Sequence, residues 1–381
     1  MWLIERRAQF TRAAPGPLPV LQNEHPARNA PRGTNRSRVV DMQGLRLLRA
    51  GRIWCGGATA ATFRLLALVA LSQSAISQAR EPIEPLPLAV PVDLARAELG
   101  EQLFRDVRLS HGKDRSCETC HPLNNNGMDG KPRASAYNNG RILRNTPTIF
   151  NVGFDLFFTW DGKFETLSDL NDKVLQDAAL MAMTWPELLS ELNADPKYVV
   201  RFKAIYPGGV SKESVLDALD SFETSLITPN ARFDKFLRGQ LNALSSDELD
   251  GYQLFKSYGC VACHQGINVG GNLFQTFGVF SDMVPKPSSP SYPDLGRFVL
   301  TNDDRDKGVF RVPSLRNVAV TSPYFHDGRA ASLETAVDTM SRAQLGRVLN
   351  SKENHLIVQF LGSLTGEFRG QPLQIKVQGA R

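Results

Sequence analysis

The pentapeptide Cys-X-X-Cys-His occurs twice, as Cys117-Glu-Thr-Cys120-His121 and as Cys260-Val-Ala-Cys263-His264. The two boxes use four of the five cysteines and two of the six histidines in a chain of 381 residues. In each, two thiols can add across the vinyl groups of a porphyrin while the adjoining imidazole ligates its iron. Paired redox or zinc cysteines would not require a histidine directly after the second cysteine. Two covalently attached c-type haems are therefore expected, with iron on His121 and His264.

Charge is unevenly spread. Residues 1–79 carry a balance of +8 and residues 80–381 one of −3, so the body is nearly neutral and no nucleic-acid partner is expected. From Met42, a basic start (Arg46, Arg49, Arg52), an apolar run (Leu65 to Ala75) and Ser77-Gln78-Ala79 read as a cleaved signal peptide over 42–79. The run is shorter than the roughly 20 residues that span a bilayer, which argues against an uncleaved anchor. Residues 1–41, rich in Arg and Pro, read as a disordered arm or an over-extended gene start, and Cys55 as part of the discarded leader. Export to the periplasm agrees with covalent haem, because bacterial thioether attachment takes place outside the cytoplasm.

The two haem regions are copies of one pattern. Gly100-Glu-Gln-Leu-Phe104 precedes the first box and Gly251-Tyr-Gln-Leu-Phe255 the second. Thr146-Pro147 through Asn151-Val152 matches Val312-Pro313 through Asn317-Val318. Fourteen residues after each proline comes Asp161-Gly162-Lys163 or Asp327-Gly328-Arg329. The spacing predicts an N-terminal haem domain over 80–235 and a C-terminal one over 236–381. Helices are expected at Ala95 to Phe104 and Asp247 to Phe255, the latter opened by a Ser245/Glu248 capping box. Apolar stripes predict two more, through Leu167, Leu170 and Val174 and through Leu333, Ala336, Val337 and Met340. No alternating strand pattern stands out. The expected fold is all-α, with two tandem cytochrome c-like haem domains and long loops.

The repeat also exposes a difference. Met340 lies thirteen residues after Asp327, and the same place in the first half holds Val174. A thioether can fill the sixth position on iron and valine cannot. A six-coordinate second haem on His264 and Met340 is expected, beside a first haem whose distal side is open.

From about residue 88 to 370 the chain resembles the bacterial dihaem cytochrome c peroxidases. The likeness rests on the two haem boxes, Arg144-Asn145-Thr-Pro147-Thr, Trp160-Asp-Gly, Leu226 to Asp234, Gly270 to Gln275, Asp294-Leu-Gly-Arg297-Phe, Arg311 to Asn317 and Thr321-Ser-Pro323-Tyr-Phe-His326. The resemblance implies reduction of hydrogen peroxide to water with electrons from a small monohaem cytochrome c or a cupredoxin. The second haem would accept the electrons and Trp160 would relay them. It further implies a calcium ion held by the Asn145 side chain and the carbonyls of Thr321 and Pro323, a donor set of hard oxygens suited to that ion. Homodimers are common in the superfamily, though no motif here speaks to that.

Two positions depart from the family pattern. Its gating histidine falls on Tyr137, and its glutamate over the peroxide site falls on Leu180. Tyr137 either ligates the first iron or lies away from it. Leu180 cannot move a proton, and Asp177 and His111 are the nearest substitutes, whereas His326 is expected to order the region between the haems. The family pattern with these departures leaves three functions open: a peroxidase, a peroxide-dependent oxidase of Trp or Tyr in a partner protein, and an electron-transfer dihaem protein without enzymatic activity.

Overall fold

The computed structural model describes residues 81–136, 144–280 and 292–374, and these fall in one compact unit, Ser77–Arg381. The expected arm and signal peptide over 1–79, with Cys55, and Tyr137 lie outside the described residues. The described chain is mostly helical. In order come α1 (Leu94–Arg105), α2 (Cys117–Cys120), α3 (Leu167–Gln176), α4 (Trp185–Ala194), α5 (Pro196–Ile205), α6 (Lys212–Ser225), α7 (Arg232–Leu237), α8 (Ser246–Ser257), α9 (Phe298–Thr301), α10 (Leu333–Leu345) and α11 (Ser351–Gly362). Two small antiparallel sheets, which the sequence reading did not anticipate, pair β1 (Phe274–Thr276) with β2 (Val309–Arg311) and β3 (Glu367–Phe368) with β4 (Gln371–Pro372).

Helix starts follow side-chain capping, which supplies acceptors for amides that have no intrahelical partner. Asp93 accepts from the amides of Ala95 and Arg96 at 2.9 and 3.1 Å. Ser245 and Glu248 form the expected reciprocal box. Thr166 and Ser332, at equivalent places in the repeat, cap α3 and α10.

Two apolar cores form. One gathers residues of α1, α3, α4, α5 and α6, and the other residues of α7, α8, α10 and α11. In each, the helix before a haem box crosses a later one at a glycine. A Cβ on Gly100 would lie 1.9 Å from the carbonyl oxygen of Ala218 in α6, and one on Gly251 would lie 2.0 Å from that of Leu356 in α11. Phe104 meets Phe222 at 5.2 Å between ring centroids, and Phe255 meets Phe360 at 5.1 Å. The repeated Gly-X-Gln-Leu-Phe is thus a helix-crossing motif, and it identifies α6 and α11 as counterparts, neither of which the sequence reading had placed.

The ends of the described chain cross between the cores. Ile83 belongs to the second core, while Phe368 and Leu373 pack on the first. Buried Arg316 fixes the leading segment. It pairs with Asp234 at 2.6 Å and donates to the carbonyls of Glu84 and Ile267. At the junction, Asn151 and Asn317, equivalent in the repeat and both left-handed, donate to the one hydroxyl of Thr228 at 2.7 and 2.9 Å.

Candidate functional site

Each haem box is a short turn. The first is α2, with Ser116 ahead of it and the His121 amide closing on the Cys117 carbonyl at 2.9 Å. The second is a 3-10 turn, Cys260–Ala262, closed by the His264 amide on Cys260 at 3.0 Å. All four cysteines are free thiols. Burial raises the thiol pKa at Cys117, Cys120 and Cys260, the last to about 11.

Both histidine rings are oriented the same way. Nδ1 of His121 lies 3.1 Å from the Gly127 carbonyl, and Nδ1 of His264 lies 3.3 Å from that of Val269. A carbonyl only accepts, so the proton sits on Nδ1 and Nε2 keeps a lone pair for a metal. Burial lowers the pKa of both, that of His264 to about 4, so each ring is neutral as a ligand must be. Backbone groups of Pro147 and Pro313, equivalent in the repeat, also bond these rings.

Beside His264 lies a largely apolar cavity of about 370 Å³. Its walls include Cys260, Cys263, Met340, Val337 and Leu361. Free thiols, a neutral imidazole with a preset tautomer, a thioether and apolar walls fit a covalently bound haem. The same cavity reaches Trp160, Asn145, Thr321, Pro323 and His326. Trp160 Nε1 donates to the Asn145 carbonyl at 2.8 Å, the Asn145 amide donates to the His326 carbonyl at 2.8 Å, and Asn145 Nδ2 donates to the Lys131 carbonyl at 2.9 Å. These bonds engage the backbone N–H of Asn145 and one N–H of its side-chain amide. The two carbonyl-bearing residues Thr321 and Pro323 share this wall. His326 is buried, stacked on Phe310 at 4.2 Å, with Nε2 3.0 Å from Asp294 Oδ1.

The residues expected around the first distal site fall as follows. Leu180 is half-buried in the turn after α3, packed on the first core, and its carbonyl lies 3.5 Å from Arg115 Nη1. Asp177 caps that turn, accepting from the Ala179 amide at 2.9 Å. His111 is exposed and pairs with Glu187 at 2.9 Å. Val174 packs on the first core. Asp177 is thus engaged with the turn backbone and His111 with Glu187. What the sequence reading missed is Glu223, buried in α6 and bonded to Asn171 of α3 at 2.9 Å. A glutamate in an amphipathic helix reads as a solvated one, and only the alignment of α6 with α11 marks its place as apolar in the other half.

These features agree with the comparisons. The sequence profile described as di-haem cytochrome c peroxidase matches residues 94–242. The chain is 40% identical over 304 residues to cytochrome c551 peroxidase of Nitrosomonas europaea, covering 79% of this chain and 90% of that protein. It is 39% identical over 300 residues to the cytochrome c peroxidase of Escherichia coli K12, covering 78% of this chain and 64% of that longer protein. A crystal structure of a MauG-like protein associated with microbial copper homeostasis superimposes with a TM-score of 0.64 at 27% identity, over 75% of this chain and 93% of that one. The chain belongs to the di-haem cytochrome c peroxidase family, and it carries two c-type haem sites.

Proposed function

We propose that the chain is a periplasmic peroxidase that reduces hydrogen peroxide to water with electrons from a small cytochrome c or cupredoxin. The observation that carries this reading is the continuous cavity that joins His264 and Met340 to Trp160. When bound, the two haems supply one-electron redox chemistry and a place for cleavage of the peroxide bond.

The chain's own groups have separate tasks. Nε2 of His264 and the thioether of Met340 would hold the second iron, and thioether ligation would favour its reduced state. Nε2 of His121 would hold the first, and Val174, at the place of Met340 in the repeat, would offer it no ligand. Trp160, its indole N–H pinned on Asn145, would pass single electrons between the two domains, drawn at 80–235 and 236–381. Asn145, Thr321 and Pro323 would take calcium through oxygen atoms and so keep Trp160 in place. Leu180 offers no acid or base, so protons reach bound peroxide without the 10²- to 10⁴-fold help that a positioned carboxylate typically gives.

The test is steady-state oxidation of a reduced small cytochrome by peroxide. The haem-loaded mature protein is used fully oxidised and after one-electron reduction, with calcium present. Turnover in both forms is expected, since the family's gating histidine is absent. Turnover only after reduction would show a different gate. No turnover in either form would overturn the peroxidase reading. It would favour the second reading, oxidation of a Trp or Tyr in a partner protein, which the likeness to a MauG-like structure supports. A covalent mass change on a co-encoded exported protein would then be sought.

A further inference from the structure

The two halves can be laid over each other through Asp161/Asp327 and through the glycine crossings Gly100/Gly251. Asn171 then falls on Val337 and Glu223 on Leu361. In the second half both partners are buried and apolar, and both line the cavity beside His264 and Met340. In the first half the same two places hold an amide and a carboxyl. Asn171 Nδ2 donates to Glu223 Oε2 at 2.9 Å and to Asp220 Oδ1 at 3.0 Å. Glu223 is 4% exposed, and it lies near Cys117 of the first haem box.

The groups that face Glu223 are few. Asn171 comes from α3, Asp220 from its own helix and Cys117 from α2. Asp220, half-buried, also feels Asp217 and Asp169. No basic side chain figures among the groups acting on Glu223 within the described residues. A carboxyl with one amide donor and no cation is disfavoured in its charged form. Burial accordingly pushes Glu223 up to about 8 and Asp220 to about 6.

We propose that Glu223 takes up the proton that balances the electron arriving at the first haem, and that Asp220 supplies it from solvent. One electron from a one-electron donor protein or mediator enters the haem attached at Cys117, Cys120 and His121. One proton leaves water, passes Asp220 and forms an O–H bond on the Glu223 carboxylate. Above the pH at which Glu223 ionises in the oxidised protein, the net charge of the first half is then unchanged by reduction. Val337 and Leu361 offer no such group, so the second haem gains an electron uncompensated. The inference rests on haem attachment, which the family establishes, and not on peroxide turnover.

The experiment is mediated spectroelectrochemical titration of the haem-loaded mature protein from about pH 5 to about pH 10, a range that brackets an upshifted carboxyl. Above the pH at which Glu223 ionises in the oxidised protein, the first haem's midpoint should fall by about 59 mV per pH unit, which is a tenfold change per unit for one electron. In Glu223→Gln that slope should vanish, with the second haem's profile unchanged. The double substitution Asn171→Val with Glu223→Leu transplants the second half's pair and should give the same flat profile if the single variant folds poorly. Redox difference infrared spectra should show a carboxylic C=O band arising on reduction in the wild type and not in Glu223→Gln. A wild-type slope retained in Glu223→Gln, or a flat wild-type profile, would overturn the proposal.

Discussion

Trp160 and His326 occupy the same place in the two halves of the repeat and meet edge to face, with ring centroids 6.3 Å apart and planes at 70°. The residues before them, Thr159 and Phe325, both adopt positive φ, 66° and 72°, a conformation that is unusual for bulky or β-branched side chains. The isolated bridges Phe158 to Phe164 and Tyr324 to Ala330 repeat around them. Equivalent residues in contact mark the junction of the two halves, and only one of this pair is an oxidisable indole.

Trp160→Phe keeps an aromatic ring there and removes the N–H bond to Asn145. The expected stability loss is about 1 kcal/mol, read by urea unfolding. Cytochrome-dependent turnover should fall at least about tenfold, or about 1.4 kcal/mol in the barrier, with both haem spectra retained. Turnover equal to that of the wild type would remove Trp160 from the electron path.

The helix crossings give a second expectation. Gly100→Ala and Gly251→Ala each force a methyl against a backbone carbonyl that cannot rotate away, and each should lose about 2 kcal/mol or more. Gly362, at the end of α11 with open space around it, is the control. Ala there should be neutral or stabilising by up to about 1 kcal/mol. Thermal unfolding of the three variants checks the contrast.

Leu180 offers a gain-of-function test. Leu180→Glu restores a carboxyl at the family's distal place, and kcat with peroxide should rise by roughly 10-fold or more, within the range ordinarily contributed by such groups. A fall in kcat would mean that the turn at 177–183 aims this side chain away from the first haem.

Acid sensitivity should follow Asp106. Burial alone would raise its pKa, but this is outweighed by Arg108, which bonds both carboxylate oxygens, and by the Tyr198 hydroxyl at 2.8 Å, so the value lies below the ordinary one. With the folded pKa depressed, the stabilisation is fully present above about pH 4 and is lost as pH falls through the folded value. Asp106→Asn should therefore cost about 1 kcal/mol at neutral pH, a modest figure because the pair is partly solvated. The gap between variant and wild type should close on acidification, as measured by urea midpoints across pH.

Much of this molecule was legible in its residues. The capped start of α8, the apolar stripes of α3 and α10, the haem boxes and the Met340/Val174 difference all rest on local patterns that tertiary contacts then used. Helices α4, α5, α6 and α11 were not placed, because their signals were read through no motif. The small sheets escaped too, since two- and three-residue strands show no alternation. The partners of Asp177 and His111, a turn amide and Glu187, could not be read from local pattern.

By itself the sequence determined where haem attaches and that the attachment recurs, because thioether formation and proximal ligation need only five adjacent residues. It also determined that only one half offers a thioether thirteen residues beyond its Asp-Gly. The tertiary structure alone decided which carboxylates lose water. Glu223 and Asp220 are three residues apart on one helix, yet α3 covers the first and leaves the second half open. Desolvation depends on what packs above a side chain, and that is set by helices folded together from distant parts of the chain.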